Sequence, residues 1–557
     1  MLRFIAAPLA MMALASTAFA QTADLSPVQK NSILNAELPA DQAAMKAHVM
    51  FLASDEMRGR DAGSPEFNIA AQYVASQFYA AGLRPAGDDG SYLQKVPLLA
   101  YKPVSQGSFT LTPKGKNAAP VALTFGTEYL PSADPTRAET NVSAQVVFVG
   151  YGLTAPTLGR DDYKGVDVRG KIVAFFGGAP KSFPGEERAH FGSPTTKASI
   201  ARAHGAIGFI TIETPAAAKA RPFSPQGWDR VRMTWAHADG TGFFAAEGTP
   251  ALGSISMVAA EKLFAGSRTP WATVAKLAED DAAKFKAEVL PATLSVSLKT
   301  ETTPVTSYNV AGMIPGSDPT LAKEVVVLSA HLDHIGVGRP NAKGDTINNG
   351  AMDNAVGIAT LIEEAKRFKA SGKAPRRSIL FLAVTAEEKG LVGADYFAHN
   401  PTVPKANLVA NVNLDMPIIT YKFTDIIVFG APRTTLGPIV ERAAKGIGVT
   451  ISPDPLPDEG LFVRSDHYRF VQQGIPSVFL WPGEGGPGKA AVEAFLANNY
   501  HRPSDELVQT PPIDWESGVR FIEVNYRIAR EIADADVRPL WNKGDFFGTL
   551  YGGPGAK

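Results

Sequence analysis

Apolar residues recur along this chain with two different periods, and the switch between them divides it. Phe67, Ala70, Ala71, Val74 and Phe78 fall at i, i+3, i+4, i+7 and i+11, the stripe of an amphipathic helix. Ser64-Pro65 supplies a start signal and Gly82 a stop. The spacing therefore predicts a helix-rich segment from about Lys46, after a looser stretch over 21–40. From about residue 108 to 300, short β-type runs take over (144–151, 171–176 and 208–212), broken by Gly, Pro and Asp. One helix, over 196–204, leads through Gly205 into the third run. From about Thr306 the pattern becomes alternating β and α. Continuous apolar runs at 324–330, 378–385, 408–414, 426–430 and 477–481 suit strands buried on both faces. Helices are predicted over 354–368 and 514–533. The fold class is therefore α/β, a mostly parallel mixed sheet flanked by helices. No internal repeat and no low-complexity tract interrupts it.

In such sheets ligands bind beyond the carboxyl ends of the strands, and ionisable residues gather there. The run 324–330 leads into His331-Leu332-Asp333. The run 378–385 leads into Glu387-Glu388, and 408–414 into Asp415. Asp353 sits at a helix start, and Tyr500-His501 in a later loop. So many uncompensated carboxylates would repel one another, and Lys389 is the one Lys or Arg directly following these strands. A pair of divalent cations resolves the conflict. Imidazoles mixed with carboxylates favour zinc over magnesium or calcium. In the simplest arrangement His331 and Asp415 hold one ion, Glu388 and His501 the other, and Asp353 bridges both. Adjacent residues on an extended backbone cannot point the same way. Glu387 is thus free to act as general base while Glu388 ligates. Asp333 is placed to accept the second imidazole N–H of His331, and Tyr500 to stabilise an oxyanion. His334 is expected to be a loop histidine lining the site.

The composition narrows the setting. Of 557 residues, 45% are hydrophobic and 20% charged, and the net charge is −1. That is globular composition without the field that recruits nucleic acid or an anionic membrane. Residues 1–20 carry Arg3, an apolar run and Ala18-Phe19-Ala20, which reads as a signal peptide cleaved after Ala20. The expected location is periplasmic or secreted, with no membrane span in the mature chain. There is no cysteine, so zinc ligands must come from His, Asp and Glu. Ser465-Asp466-His467 does not form a serine-hydrolase triad, because consecutive residues cannot converge and no G-x-S-x-G elbow exists. A pocket-lining loop is the alternative.

The strings SAHLDHIGVG, NNGAMDNAVGIATLIEEAKRF, FLAVTAEEKGLVGADYF, NVNLDM, SDHYRF and YHRPSDE resemble the co-catalytic dizinc exopeptidase family. That family includes leucyl-type aminopeptidases, glutamate carboxypeptidases and glutaminyl cyclases. The resemblance implies the zinc exopeptidase fold, two Zn(2+) per chain on the five ligands above, and Glu387 as base. VVFVGYGL, DVRGKIVAFF and ARAHGAIGFITI resemble a protease-associated domain. The expected organisation is a peptidase domain split over 40–115 and 303–535, a β-rich insert over 116–302 and a C-terminal tail over 536–557. The expected activity is a metallo-aminopeptidase that hydrolyses peptides with a dizinc-bridged hydroxide. Carboxypeptidase or glutaminyl cyclase chemistry on the same fold is the alternative, and a non-catalytic binding protein a more distant one.

Overall fold

The computed structural model describes residues 25–115, 119–280 and 283–557; the expected signal peptide lies outside them. Helix Pro65–Ala80 begins where the pattern places it. The Ser64 hydroxyl accepts the Phe67 N–H at 3.0 Å, and Pro65 fills the first turn. Its stripe is buried against the sheet, with Phe67 and Phe78 fully enclosed. Truncating either ring to alanine would cost about 3–5 kcal/mol.

The strands that build the molecule are β1 (Leu93–Pro103), β2 (Ser108–Pro113), β3 (Glu139–Phe148), β4 (Ile172–Phe176), β5 (Gly208–Ile212) and β6 (Ala251–Ile255). They continue with β7 (Glu288–Ile314), β8 (Val325–His331), β9 (Ser378–Val384), β10 (Leu408–Asn413), β11 (Asp425–Phe429) and β12 (Ser477–Pro482). The main sheet runs β1-β7-β9-β8-β10-β12-β11. Its centre, β9-β8-β10-β12, is parallel, and the flanking pairs are antiparallel. Every residue of β8, β9 and β10 is buried, as expected for parallel strands covered on both faces. The covering helices include Val356–Ala370 and Trp515–Asp534, the latter capped by Asp514 on the Ser517 N–H at 3.0 Å.

A second sheet, β2-β7-β3-β4-β5-β6, carries its own core. The two sheets share β7. Its first half alternates buried and open positions from Leu290 to Leu298, and pairs with β2 and β3. Its second half pairs with β1 and β9. The chain thus passes residues 302 and 303 inside one continuous strand, without a linker. Residues 536–557, expected as a tail, are packed. Trp541 is 2% exposed and donates its ring N–H to the Gly474 carbonyl at 2.8 Å, and helix Phe546–Leu550 follows. Arg433 ties three parts together. It reaches Glu186 and Glu187 (3.0 Å) of the insert and Asp545 (2.9 Å) of the C-terminal segment, over the ring of Phe547. Among the described residues no helix is long and apolar enough to cross a membrane.

Candidate active site

The carboxyl ends of β8, β9 and β10 bring the expected residues to one place. His331 ends β8, and its Nδ1 lies 3.1 Å from the Asp333 carbonyl oxygen. A carbonyl only accepts, so Nδ1 carries the proton and Nε2 faces inward. That Nε2 lies 3.2 Å from Asp353 Oδ1 and 3.1 Å from Asp415 Oδ1. On the other side His501 Nε2 lies 3.2 Å from Asp353 Oδ2 and 3.3 Å from Glu388 Oε2. The two oxygens of Asp353 therefore face two different imidazole–carboxylate pairs.

Donor atoms about 2.0–2.1 Å from a tetrahedral ion sit about 3.3 Å from one another. The separations of 3.1–3.3 Å seen here fit that spacing on both sides of Asp353. The donor set of imidazoles and carboxylates also suits zinc chemically.

Asp333 corrects the sequence reading in one respect. Its main-chain oxygen, not its carboxylate, engages His331. The carboxylate accepts the N–H groups of Glu387 (3.0 Å) and Glu388 (3.3 Å) instead. The reason is reach: Asp333 is two residues past His331, and its extended side chain meets the turn after β9. Burial pushes its carboxyl up to about 6. Asp353 is held well below the usual carboxylate range. Burial opposes this, but the hydrogen bonds from His331 and His501 prevail. Glu387 is shifted well upward, by burial first and then by the nearby carboxylates of Asp415, Glu388 and Asp466, against the pull of His331. Tyr500 lines the same cavity and stacks on the His501 ring with centroids 3.9 Å apart. Burial raises its hydroxyl too.

Sequence reasoning missed several supports. Asp505 accepts the N–H groups of Met352 (2.8 Å) and Asp353 (3.0 Å), fixing the turn that carries Asp353. Gly350 opens that turn at φ 62°, where a Cβ would lie 2.3 Å from the Asp353 main-chain oxygen. Arg60 is buried and donates to the carbonyls of Leu332 (2.9 Å), Asn349 (2.7 Å), Gly350 (3.1 Å) and Leu52. His334 does more than line the site. Its Nδ1 bonds Glu388 Oε1 at 2.7 Å, leaving Oε2 to face His501. Ser465 donates to Asp415 Oδ2. The HLDH string and YHRPSDE contained His334 and Asp505, but nothing in their spacing says which carboxylate or N–H they meet.

The site opens into a cavity of about 630 Å³. Met416, Phe479, Trp481 and Leu496 form an apolar wall on the Asp415 side, where Trp481 donates to the Asp415 carbonyl at 3.1 Å. Leu391, whose N–H bonds the Glu387 carbonyl, lines it too, with Arg469, which donates to the Gly390 carbonyl at 2.9 Å, and Arg464.

Residues 309–528 match the profile of Peptidase family M28. Leupeptin-inactivating enzyme 1 of Streptomyces exfoliatus is 30% identical over 188 residues, 32% of this chain and 36% of that protein. A probable leucine aminopeptidase 2 of Aspergillus oryzae is 26% identical over 219 residues, 36% of this chain and 40% of that protein. These matches span well under half of the curated relatives' length. Among solved structures, an aminopeptidase from Aneurinibacillus sp. strain AM-1 aligns with 90% of this chain and 95% of its own, at 19% identity and TM-score 0.45. A zinc aminopeptidase from Bacillus subtilis aligns with 90% and 97%, at 17% identity and TM-score 0.42.

Proposed function

Because residues 309–528 match the profile of Peptidase family M28, we propose that this chain is a zinc-dependent aminopeptidase with two metal positions sharing Asp353. The observation that carries the reading is the division of the Asp353 carboxylate between His331/Asp415 and His501/Glu388, with Glu387 beside it. His331, Asp353 and Asp415 would hold one zinc, and Asp353, Glu388 and His501 the other. When bound, the pair supplies an activated water and polarises the scissile carbonyl. Glu387 takes the proton of the attacking water at its carboxylate and returns it to the leaving nitrogen. Asp333 fixes the backbone of both glutamates, so that Glu387 and Glu388 keep their separate directions. The Tyr500 hydroxyl, kept protonated by burial, can donate to the developing oxyanion. The apolar wall of Met416, Phe479, Trp481 and Leu496 favours an apolar side chain on the residue released. The leader over 1–20 supports export to the periplasm or beyond.

The test is Glu387→Gln. Zinc content should stay at two per chain while hydrolysis of leucine amide falls by about 10³-fold or more. Turnover at the parental rate would sink the assignment. Blocking the substrate's N-terminus should abolish cleavage; persistence would favour the carboxypeptidase alternative.

A further inference from the structure

A second cavity, of about 1190 Å³, lies between the insert, the body of the peptidase and the C-terminal segment. It exceeds the roughly 300–1000 Å³ of an ordinary small-molecule site. Leu158, Ile200 and Ala203 line it from the insert, and Phe546, Leu550 and Tyr551 from the C-terminal segment. Leu550 is 48% exposed, so this apolar surface is open. Leu391, Arg464 and Arg469 line both this cavity and the catalytic one, so the two adjoin along these three side chains.

The direction of the connection identifies an occupant. Glu387 must return its proton to the leaving nitrogen, so the departing part of the substrate lies on the Glu387 side. Leu391 belongs to that side: its N–H bonds the Glu387 carbonyl at 2.7 Å. The released residue has its own apolar wall beside Asp415, where Trp481 donates to the Asp415 carbonyl and Met416 follows it in the chain. The second cavity therefore continues the path of the departing chain. Arg464 and Arg469 stand at the junction; Arg469 is held by Gln472 and the Gly390 carbonyl, while Arg464, paired with Glu459 at 3.1 Å through one nitrogen, has further guanidinium donors that can meet main-chain carbonyls. Its walls are held in place. Arg433 clamps the insert and the C-terminal segment to the body, and Arg188 fixes the Asp458 carbonyl at 2.9 Å in the loop beside Glu459.

We propose that this cleft binds the portion of a peptide substrate that follows the scissile bond, and selects peptides with apolar residues two and three positions beyond it. The proposal rests on the aminopeptidase reading above. It makes the insert and the C-terminal segment part of substrate selection, and it makes extended peptides the preferred substrates.

The experiment compares kcat/KM for leucine amide, Leu-Gly-Gly-Gly-Gly and Leu-Gly-Phe-Leu-Gly in the zinc-loaded full chain. The apolar pentapeptide should exceed the glycine pentapeptide by about tenfold or more. Leu550→Glu and Ser199→Glu, one on each side of the cleft, should each bring that ratio to about one, with the difference in KM and the melting temperature preserved. Equal kcat/KM for the two pentapeptides in the parent, alongside good turnover of leucine amide, overturns this proposal alone. So does a ratio that survives both substitutions. Failure to cleave any of the three overturns the aminopeptidase reading and this proposal together.

Discussion

Asp505→Asn tests whether the site is built by its supports as much as by its ligands. Asp505 is fully buried and gives one oxygen to the Met352 N–H at 2.8 Å and the other to the Asp353 N–H at 3.0 Å. Its own carbonyl accepts the Ala351 N–H at 3.1 Å. It follows His501 by four residues, so it couples the loop of one imidazole to the turn of the bridging carboxylate. Asparagine keeps the shape but turns one acceptor into a donor, facing a backbone N–H. A hydrogen bond to a charged acceptor is worth about 1.5–3 kcal/mol, and the opposed donors add to the loss. About 2 kcal/mol passed to the placement of Asp353 corresponds to a roughly 30-fold weaker hold on zinc. Competition against a chromophoric chelator measures this directly, with thermal unfolding as a control for the fold. At saturating zinc much of the activity should return. Zinc affinity within about threefold of the parent would refute the argument, because the two bonds would then serve only the stability of the loop.

Metal removal should destabilise the protein increasingly as pH rises. In the metal-free chain His331 is shifted well above its ordinary value: burial opposes the shift, but Asp415 and Glu387 outweigh it. Its contribution is fully present below about pH 6.5 and lost as pH passes its raised value. The gap in melting temperature between loaded and chelated protein should therefore widen from pH 6 to 9; a constant gap would contradict this. Lys197, in the insert, is fully buried, bonds the Phe176 carbonyl at 2.6 Å, and is pushed by burial down to about 7. The unfolded chain holds that proton up to about pH 10.4, so stability rises with pH between the two values. Lys197→Met should thus stabilise by up to a few kcal/mol at pH 6, less about 1 kcal/mol for the lost bond, with the gain fading by pH 10. An equal gain at both pH values in urea unfolding would exclude the charge as the cause. Arg60→Met strands four buried carbonyls and should cost about 3–5 kcal/mol in the same assay, with zinc affinity falling in parallel.

The parallel sheet was legible because buried strands have no polar face to hide. The runs ending at His331 and Asp415 and before Glu387 mark strand ends within a residue or two. Three of the expected ligand positions, His331, Glu388 and Asp415, were legible for the same reason, since each is an ionisable residue just past an apolar run, whereas Asp353 at a helix start and His501 in a loop carry no such mark. The role of the Asp333 carboxylate was not, because it depends on how far the turn after β9 swings toward β8. Nor could the pattern show that β7 joins the two sheets. Its alternation before residue 299 and its buried stretch after 309 read as two separate segments, and only tertiary pairing makes them one strand. Residues 536–557 carry few periodic apolar positions, and Trp541 and Phe547 find their partners far away in sequence.

The polar residues inside the apolar runs carried a further signal. Ser329, Asn411 and Asn413 interrupt β8 and β10, and an isolated polar group there would cost about 1–3 kcal/mol. The structure joins them into a directed chain. Asn411 Nδ2 donates to Ser329 Oγ at 2.9 Å, and Ser329 donates to Asn413 Oδ1 at 2.7 Å. Asn413 Nδ2 then donates to Ser465 Oγ at 2.7 Å, and Ser465 donates to Asp415 Oδ2. A hydroxyl has one proton, so each step fixes the next. Because Asn413 presents its nitrogen to Ser465, the serine proton is left for the carboxylate. Every donor in the chain points toward Asp415, which leaves Oδ1 turned toward His331. Ser465 thus has a function, though not as a nucleophile. Its neighbours Asp466 and His467 are buried beside it without forming a relay, and the serine acts by completing a network that begins at Asn411 within β10 and passes through β8.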